Sequence, residues 1–233
     1  MRPGHHTKYV AILFFYQLVF LLHAQQGTNF YWGQYYLKKD ISKQLTYQFD
    51  GGFRWRSSFN QPSQYILRTN VLLKFNNRWS TGAGIAQLGF RNGDSWYRYE
   101  WRPYAELSHQ SKYSQFSVEH RWRTELRLFR DQPVIPTDDP LLSHKLRHRY
   151  RLMLLIPLPI EQWQMQIGDE VFVHTGKTAN GFSFNQNRLL IGPKYTFSDQ
   201  LNISFLFNFQ TTGLGNNQHK NDYVCWLGIN HRL

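Results

Sequence analysis

Apolar and polar side chains alternate with a period of two along most of this chain. That pattern restricts it to β-strands whose two faces meet different surroundings. The stretch "SVEHRWRTELRLF", residues 117–129, shows the alternation at its densest. Read as a helix, it gathers Val118, Trp122, Leu126 and Phe129 on one side but leaves Phe116 among the charges. Read as a strand, it puts Phe116, Val118, His120, Trp122, Thr124, Leu126 and Leu128 on one face. Ser117, Glu119, Arg121, Arg123, Glu125 and Arg127 then share the other.

The rest of the chain decides for strands. "LTYQFDGGFRWRS" sets Leu45, Tyr47, Phe49, Gly51, Phe53 and Trp55 against Thr46, Gln48, Asp50, Gly52, Arg54 and Arg56. Its two adjacent glycines would each weaken a helix by about 1 kcal/mol. "HKLRHRYRLMLLI" sets Leu146, His148, Tyr150, Leu152, Leu154 and Ile156 against Lys145, Arg147, Arg149, Arg151, Met153 and Leu155. "LNISFLFNFQ" sets Leu201, Ile203, Phe205, Phe207 and Phe209 against a mostly polar row.

The pattern predicts strands near 29–38, 45–57, 64–76, 79–90, 97–108, 115–129, 144–156, 163–173, 186–197, 201–211 and 223–233. Many exceed the strands of soluble proteins and suit the ~9–11 residues that a tilted membrane strand needs. Connections alternate between short ("NNR", "HQSK", "PLPIEQ", "SDQ") and longer ("RNGDS", "DQPVIPTDDPLLS", "HTGKTANGFSF", "TGLGNNQHKND"). The expected fold is all-β: an antiparallel transmembrane β-barrel of about 10–12 strands, with short periplasmic turns and longer extracellular loops. Eleven segments is an odd number, so residues 29–38 read as a short extra strand or a lead-in, or a twelfth strand is hidden. Trp32, Trp79, Trp96, Tyr97, Tyr113, Trp163, Tyr195 and Tyr223 lie near segment ends, where interfacial girdles belong. A secreted, lipocalin-like barrel with its apolar face inside is the competing architecture.

At the N-terminus, Arg2, His5, His6 and Lys8 precede the apolar run "YVAILFFYQLVFLL" and then "HAQQG". Residues 1–24 read as a cleaved signal peptide and 25–233 as one domain. Cleavage would take Arg2 and Lys8 from the 27 basic residues and leave the 15 acidic ones, a charge of +10. An exported chain with arginines spread along strand faces argues against nucleic acid and for anionic lipid or anionic solutes. Mean hydropathy is −0.56, consistent with a barrel in which only alternate residues meet lipid. The lone Cys225 excludes an internal disulfide.

The segments "RPYAEL", "EHRWRTELRLF", "RHRYRLMLLIPL", "GDEVFV" and "NRLLIGPKYTFSDQLNISFLF" resemble the domain of unknown function 2490 family, over nearly the whole exported chain. The resemblance implies an outer-membrane β-barrel of Gram-negative bacteria and no established activity. The chain departs from common outer-membrane barrels in ending on Leu233 rather than an aromatic residue.

Strand parity assigns the lumen face. Its basic members are Arg54, Arg56, Arg68, Arg98, Arg102, Arg121, Arg123, Arg127, Arg147, Arg149, Arg151 and Arg188, with Lys74, Lys145 and Lys194. Its acidic members are Asp50, Glu100, Glu106, Glu119, Glu125 and Glu170. Buried charge must be paired or hydrated. Two readings stay open: a charge-paired plug that stiffens a small barrel, and a narrow basic path for a small anionic solute. Arg121 and Arg123, beside glutamates in their own column, read as paired. Arg149 and Arg151, in a purely basic column, read as hydrated surplus. Catalytic signals are weak. His109 and Ser111 of "HQS" fall in an expected turn with no orienting acid. There is no G-x-S-x-G or H-E-x-x-H, and His144, His148 and His174 lack ligand spacing. No cofactor and no metal are expected. The expected partners are outer-membrane lipid and lipopolysaccharide, periplasmic chaperones and the barrel assembly machinery.

Overall fold

Eleven long strands close into one barrel in the computed structural model, which describes residues 27–132, 141–176, 181–215 and 218–233. The strands are β1 (Thr28–Asp40), β2 (Leu45–Arg56), β3 (Pro62–Lys74), β4 (Trp79–Asn92), β5 (Ser95–Lys112), β6 (Ser117–Asp131), β7 (Leu141–Pro157), β8 (Trp163–Gly176), β9 (Gly181–Thr196), β10 (Leu201–Gly215) and β11 (Gln218–Arg232). They are 12 to 18 residues long. Each pairs antiparallel with its chain neighbour. An up-and-down chain reverses at every turn, so an odd count brings its first and last strands together in the same direction. β1 accordingly pairs with β11 in parallel, from Thr28↔Asp222 to Lys38↔Arg232.

Residues 29–38 are thus neither a lead-in nor a short extra: they are the closing strand. The seam is stapled by side chains as well as by its ladder. Trp32 meets Trp226 edge-on at 5.2 Å, and Tyr35 Oη lies 2.7 Å from His231 Nδ1. At the end of the seam Asp40 holds Arg232, Lys74 (3.1 Å) and the Thr46 hydroxyl (2.5 Å).

Short turns follow β1, β3, β5, β7 and β9 at the end of the barrel where the chain terminates. Three of them share one device. Ser42 Oγ accepts from the backbone N–H of Gln44 and Leu45, Asn76 Oδ1 from Arg78 and Trp79, and Ser198 Oγ from Gln200 and Leu201. A short polar side chain at the first turn position satisfies donors that the ladder has left behind. At the other end the strands run further than their hydrophobic pattern. "RNGDS" is a tight hairpin with Gly93 at φ 57°, a conformation glycine adopts without penalty. At the end where the chain terminates, "HQSK" belongs to β5 rather than to a turn. Much of the long connections expected after β8 and β10 is strand: β9 begins at Gly181, and β10 and β11 reach Gly215 and Gln218. The central part of "DQPVIPTDDPLLS" lies outside the described residues.

The faces divide as the alternation requires. Phe53, Leu67, Trp101, Leu189 and Leu227 are exposed on the outside, with large apolar neighbours on every strand. The arginine face is inside, which is the reverse of the lipocalin-like arrangement. The interior is lopsided. Ile66, Ala86, Leu88 and Tyr104 form a small apolar wall across β3–β5. Gly84 makes room there, because a Cβ would fall 2.4 Å from Asn70 Cβ and 2.9 Å from the Tyr104 ring. The opposite wall, β5 to β9, is charged.

Most end aromatics ring the outside. Trp163 packs on Tyr195 at 4.9 Å, Tyr113 on Phe116 at 4.8 Å and Tyr65 on Trp96 at 5.0 Å. Trp32 does not belong to that ring. Its position in β1 has lumen parity, and it is buried inside the barrel.

Candidate functional site

The charged wall is an ion-pair lattice centred on three carboxylates that water barely reaches: Glu100 at 0%, Glu125 at 1% and Glu170 at 2% exposure. Each is shared. Glu100 accepts from Arg102 (2.8 Å) and Arg127 (2.6 Å). Glu125 accepts from Arg147 (2.5 Å) and Arg149 (2.6 Å), with Arg102 at 3.9 Å. Glu170 accepts from Arg121 (2.9 Å) and Arg149 (2.7 Å), with Arg188 at 3.5 Å. Two further pairs flank the lattice. Glu106 holds Arg123 at 2.5 Å and the Asn70 amide at 3.3 Å, while Asp50 holds Arg68 at 2.9 Å and the Gln34 amide. Charge-assisted, multidentate contacts of this kind are the strong class of hydrogen bond.

Aromatic rings fill the space between guanidiniums. Phe172, fully buried, lies beneath Arg147, Arg149 and Arg188 at 4.6–5.1 Å. Arg123 covers Tyr104 at 4.2 Å. Phe129, which broke the parity of its strand in sequence, points inward beneath Arg127 (4.7 Å) and Arg98 (5.4 Å). A planar cation can bury against a ring face while its edge stays free for a carboxylate.

The expectation for the basic column of β7 is overturned at one residue. Arg149 is not surplus: it joins Glu125 to Glu170 and is among the most buried arginines. The reason is geometric, because its carboxylates come from β6 and β8 on either side, not from its own strand. Among the described residues, Arg151, Arg54 and Arg56 have no carboxylate within ion-pair distance. Arg54 donates to Gln64 Oε1 at 2.9 Å and stacks on Trp32 at 3.9 Å, and Arg56 lies over Phe30 at 5.9 Å. Glu119 accepts from the Gln110 amide at 3.1 Å rather than from a cation. Lys194 lines the cavity on the C-terminal side, Lys145 is exposed, and Lys74 belongs to the seam cluster.

Asp40 and Asp131 were missed. Asp131 chelates Arg98 at the barrel rim, and both aspartates occupy lumen-parity positions just past the predicted strand limits. Extending the alternation by two residues would have found them.

The lattice divides the interior. One cavity of about 320 Å³ lies on the side of the β2–β3 turn, and one of about 400 Å³ on the C-terminal side. Arg68, Arg149 and Trp226 line both and form the waist between them. A third space of about 1020 Å³ forms the mouth near the β3–β4 turn. His109 and Ser111 lie on the outer face of β5, where His109 packs on Trp79 at 4.4 Å and near His120 at 5.7 Å. Among the described residues no hydrogen bond joins His109 to Ser111 and no carboxylate orients the ring. His148 hydrogen-bonds Thr124 and Thr175 on the outer face, at 3.0 Å each. Among the described residues no group of His, Cys, Asp and Glu could hold a metal ion.

Fold and site together define a closed, single-chain β-barrel with an apolar exterior and a salt-bridged interior. The family described as "protein of unknown function (DUF2490)" matches residues 29–221, and the chain belongs to it. No curated protein matches. Among solved structures, the chain is similar to a mutant of the ferric enterobactin receptor from Pseudomonas aeruginosa, with 8% identity and a TM-score of 0.36. The likeness covers 82% of this chain and 37% of that one.

Proposed function

We propose that this protein is an outer-membrane β-barrel whose lumen is shut at the waist by the arginine–carboxylate lattice. It is a charge-plugged structural barrel rather than an open pore. The membrane reading rests on the outer surface. Soluble monomers rarely expose apolar patches beyond a few hundred Å², whereas here large apolar side chains face outward on strand after strand. The purified protein should require detergent, and its gel mobility should shift on boiling. Recovery from the soluble fraction without detergent would overturn this.

The observation that carries the plug is the burial of Glu100, Glu125 and Glu170, each held by at least two guanidiniums. A hydrated path along this wall would leave these groups wet. In planar bilayers the wild type is expected to stay silent at moderate voltages. The second reading, an anion path, draws on the cavities above and below the waist and predicts steady, anion-selective steps instead. Such steps in the wild type would replace the plug with a channel.

A further inference from the structure

The cavity on the side of the β2–β3 turn is lined by eight arginines and by no aspartate or glutamate. The carboxylates of the lattice stand behind those arginines. Glu125 spends both oxygens on Arg147 and Arg149, and Glu100 spends both on Arg127. What remains toward the cavity is a surface of guanidinium edges, amides and aromatic rings.

Arg56, at the exposed rim, has no carboxylate partner among the described residues; of the arginines enclosed by the cavity, Arg54 and Arg188 are the least compensated. They flank the Trp32 ring at 3.9 and 5.1 Å. Arg54 has only the neutral Gln64 oxygen, and its buried Nε has no hydrogen-bond partner. Arg188 leans on Gln210 (3.1 Å) and Gln186 (3.4 Å) and reaches Glu170 only at 3.5 Å. Glutamine can satisfy a donor but cannot neutralise a charge. Cations held in a confined, ring-lined space by neutral acceptors are costly unless a counter-charge joins them.

We infer that this cavity is a binding site for a small, multiply charged oxyanion, of phosphate or carboxylate type. Arg54 and Arg188 are its principal contacts. Guanidinium forks match the geometry of both kinds of oxyanion. A volume of about 320 Å³ stands at the small end of ligand sites and excludes a polymer. Binding of this kind is independent of whether the waist conducts, so a conducting wild type would overturn the plug and leave this site standing.

The test is calorimetric titration of the full exported chain in detergent at low salt, with inorganic pyrophosphate and citrate as separate probes. At least one should bind at 1:1, and the arms tell a phosphate site from a carboxylate site. Arg54→Gln removes the cation without stranding a carboxylate and should weaken binding tenfold or more. Arg78→Gln, at the opposite mouth, should leave it unchanged. Gln64→Glu places a carboxylate where Arg54 now finds an amide oxygen. It should abolish binding and raise the melting temperature, which keeps the test decisive if Arg54→Gln fails to fold. The inference is overturned if neither probe gives saturable 1:1 binding, or if Gln64→Glu or folded Arg54→Gln binds as tightly as the wild type.

Discussion

Replacing Glu170 with glutamine is expected to lower stability by about 3–5 kcal/mol and to make the barrel leak anions. Glu170 is the common counter-charge of three guanidiniums from three strands: Arg121 of β6, Arg149 of β7 and Arg188 of β9. The amide keeps the shape and one acceptor but removes the charge. Three cations then remain within a few ångströms in a buried space, where repulsion is far stronger than in water. The cheapest relief is to spread them and admit water and anions, which is the opening of the waist. Two measurements read the two halves of this outcome. Denaturant titration of the heat-shifted gel band should show the lowered midpoint, and bilayer recording should show anion-selective current absent from the wild type. A silent barrel of unchanged midpoint would mean that Glu170 does not hold the waist shut. Replacing the whole cluster of Glu170, Arg149 and Arg121 by apolar residues of similar size should recover most of the stability, since no stranded charge remains.

The sequence carries the faces of this barrel far better than its pairings. Trp122 and Arg123 are adjacent, and the strand pleat alone sends one to the outer surface and the other beneath Glu106. The same pleat sets Arg147 and Arg149 on the buried face and Tyr150 on the outer one. Two signals failed locally. The residue type of Trp32 suits an interface, yet its place in the β1 alternation carries lumen parity, and it is buried inside the barrel. Asp40 and Asp131 were lost because the hydrophobic pattern fades before the hydrogen-bonded ladder does. The closing strand was ambiguous for a different reason. Its neighbour β11 lies at the far end of the chain, and no local pattern encodes a partner some 190 residues away. Register was invisible too. Arg151 lies directly opposite Glu170 in the ladder, yet the Glu170 oxygens go to Arg121, Arg149 and Arg188. Side chains lean along their strands, so diagonal partners compete with opposite ones. Which cation is paired and which is spare follows from that lean, and composition by column does not contain it.

Arg149 and Arg151 therefore offer the sharpest contrast in the barrel: same strand, same face, two residues apart, and opposite expected outcomes. Arg149→Met should cost about 3–5 kcal/mol, because it strips Glu125 and Glu170 of a shared partner while both stay buried. Arg151→Met should change stability by no more than about 1 kcal/mol. Arg151 has no carboxylate within ion-pair distance among the described residues, and it borders the cavities on the C-terminal side, where water can hydrate it. It also stands opposite Arg121 in the β6–β7 ladder, a like-charge pair that is unfavourable in itself. The ladder sets Arg123 opposite Arg149 in the same way, but there Glu106, Glu125 and Glu170 supply the opposing charge. Removing Arg151 thus relieves a repulsion and breaks no ion pair among the described residues, whereas removing Arg149 leaves two buried carboxylates without their shared partner. Paired denaturation curves of the two variants decide the matter. Equal losses would show that Arg151 too has a carboxylate partner, and that the cavity on the C-terminal side holds no surplus positive charge.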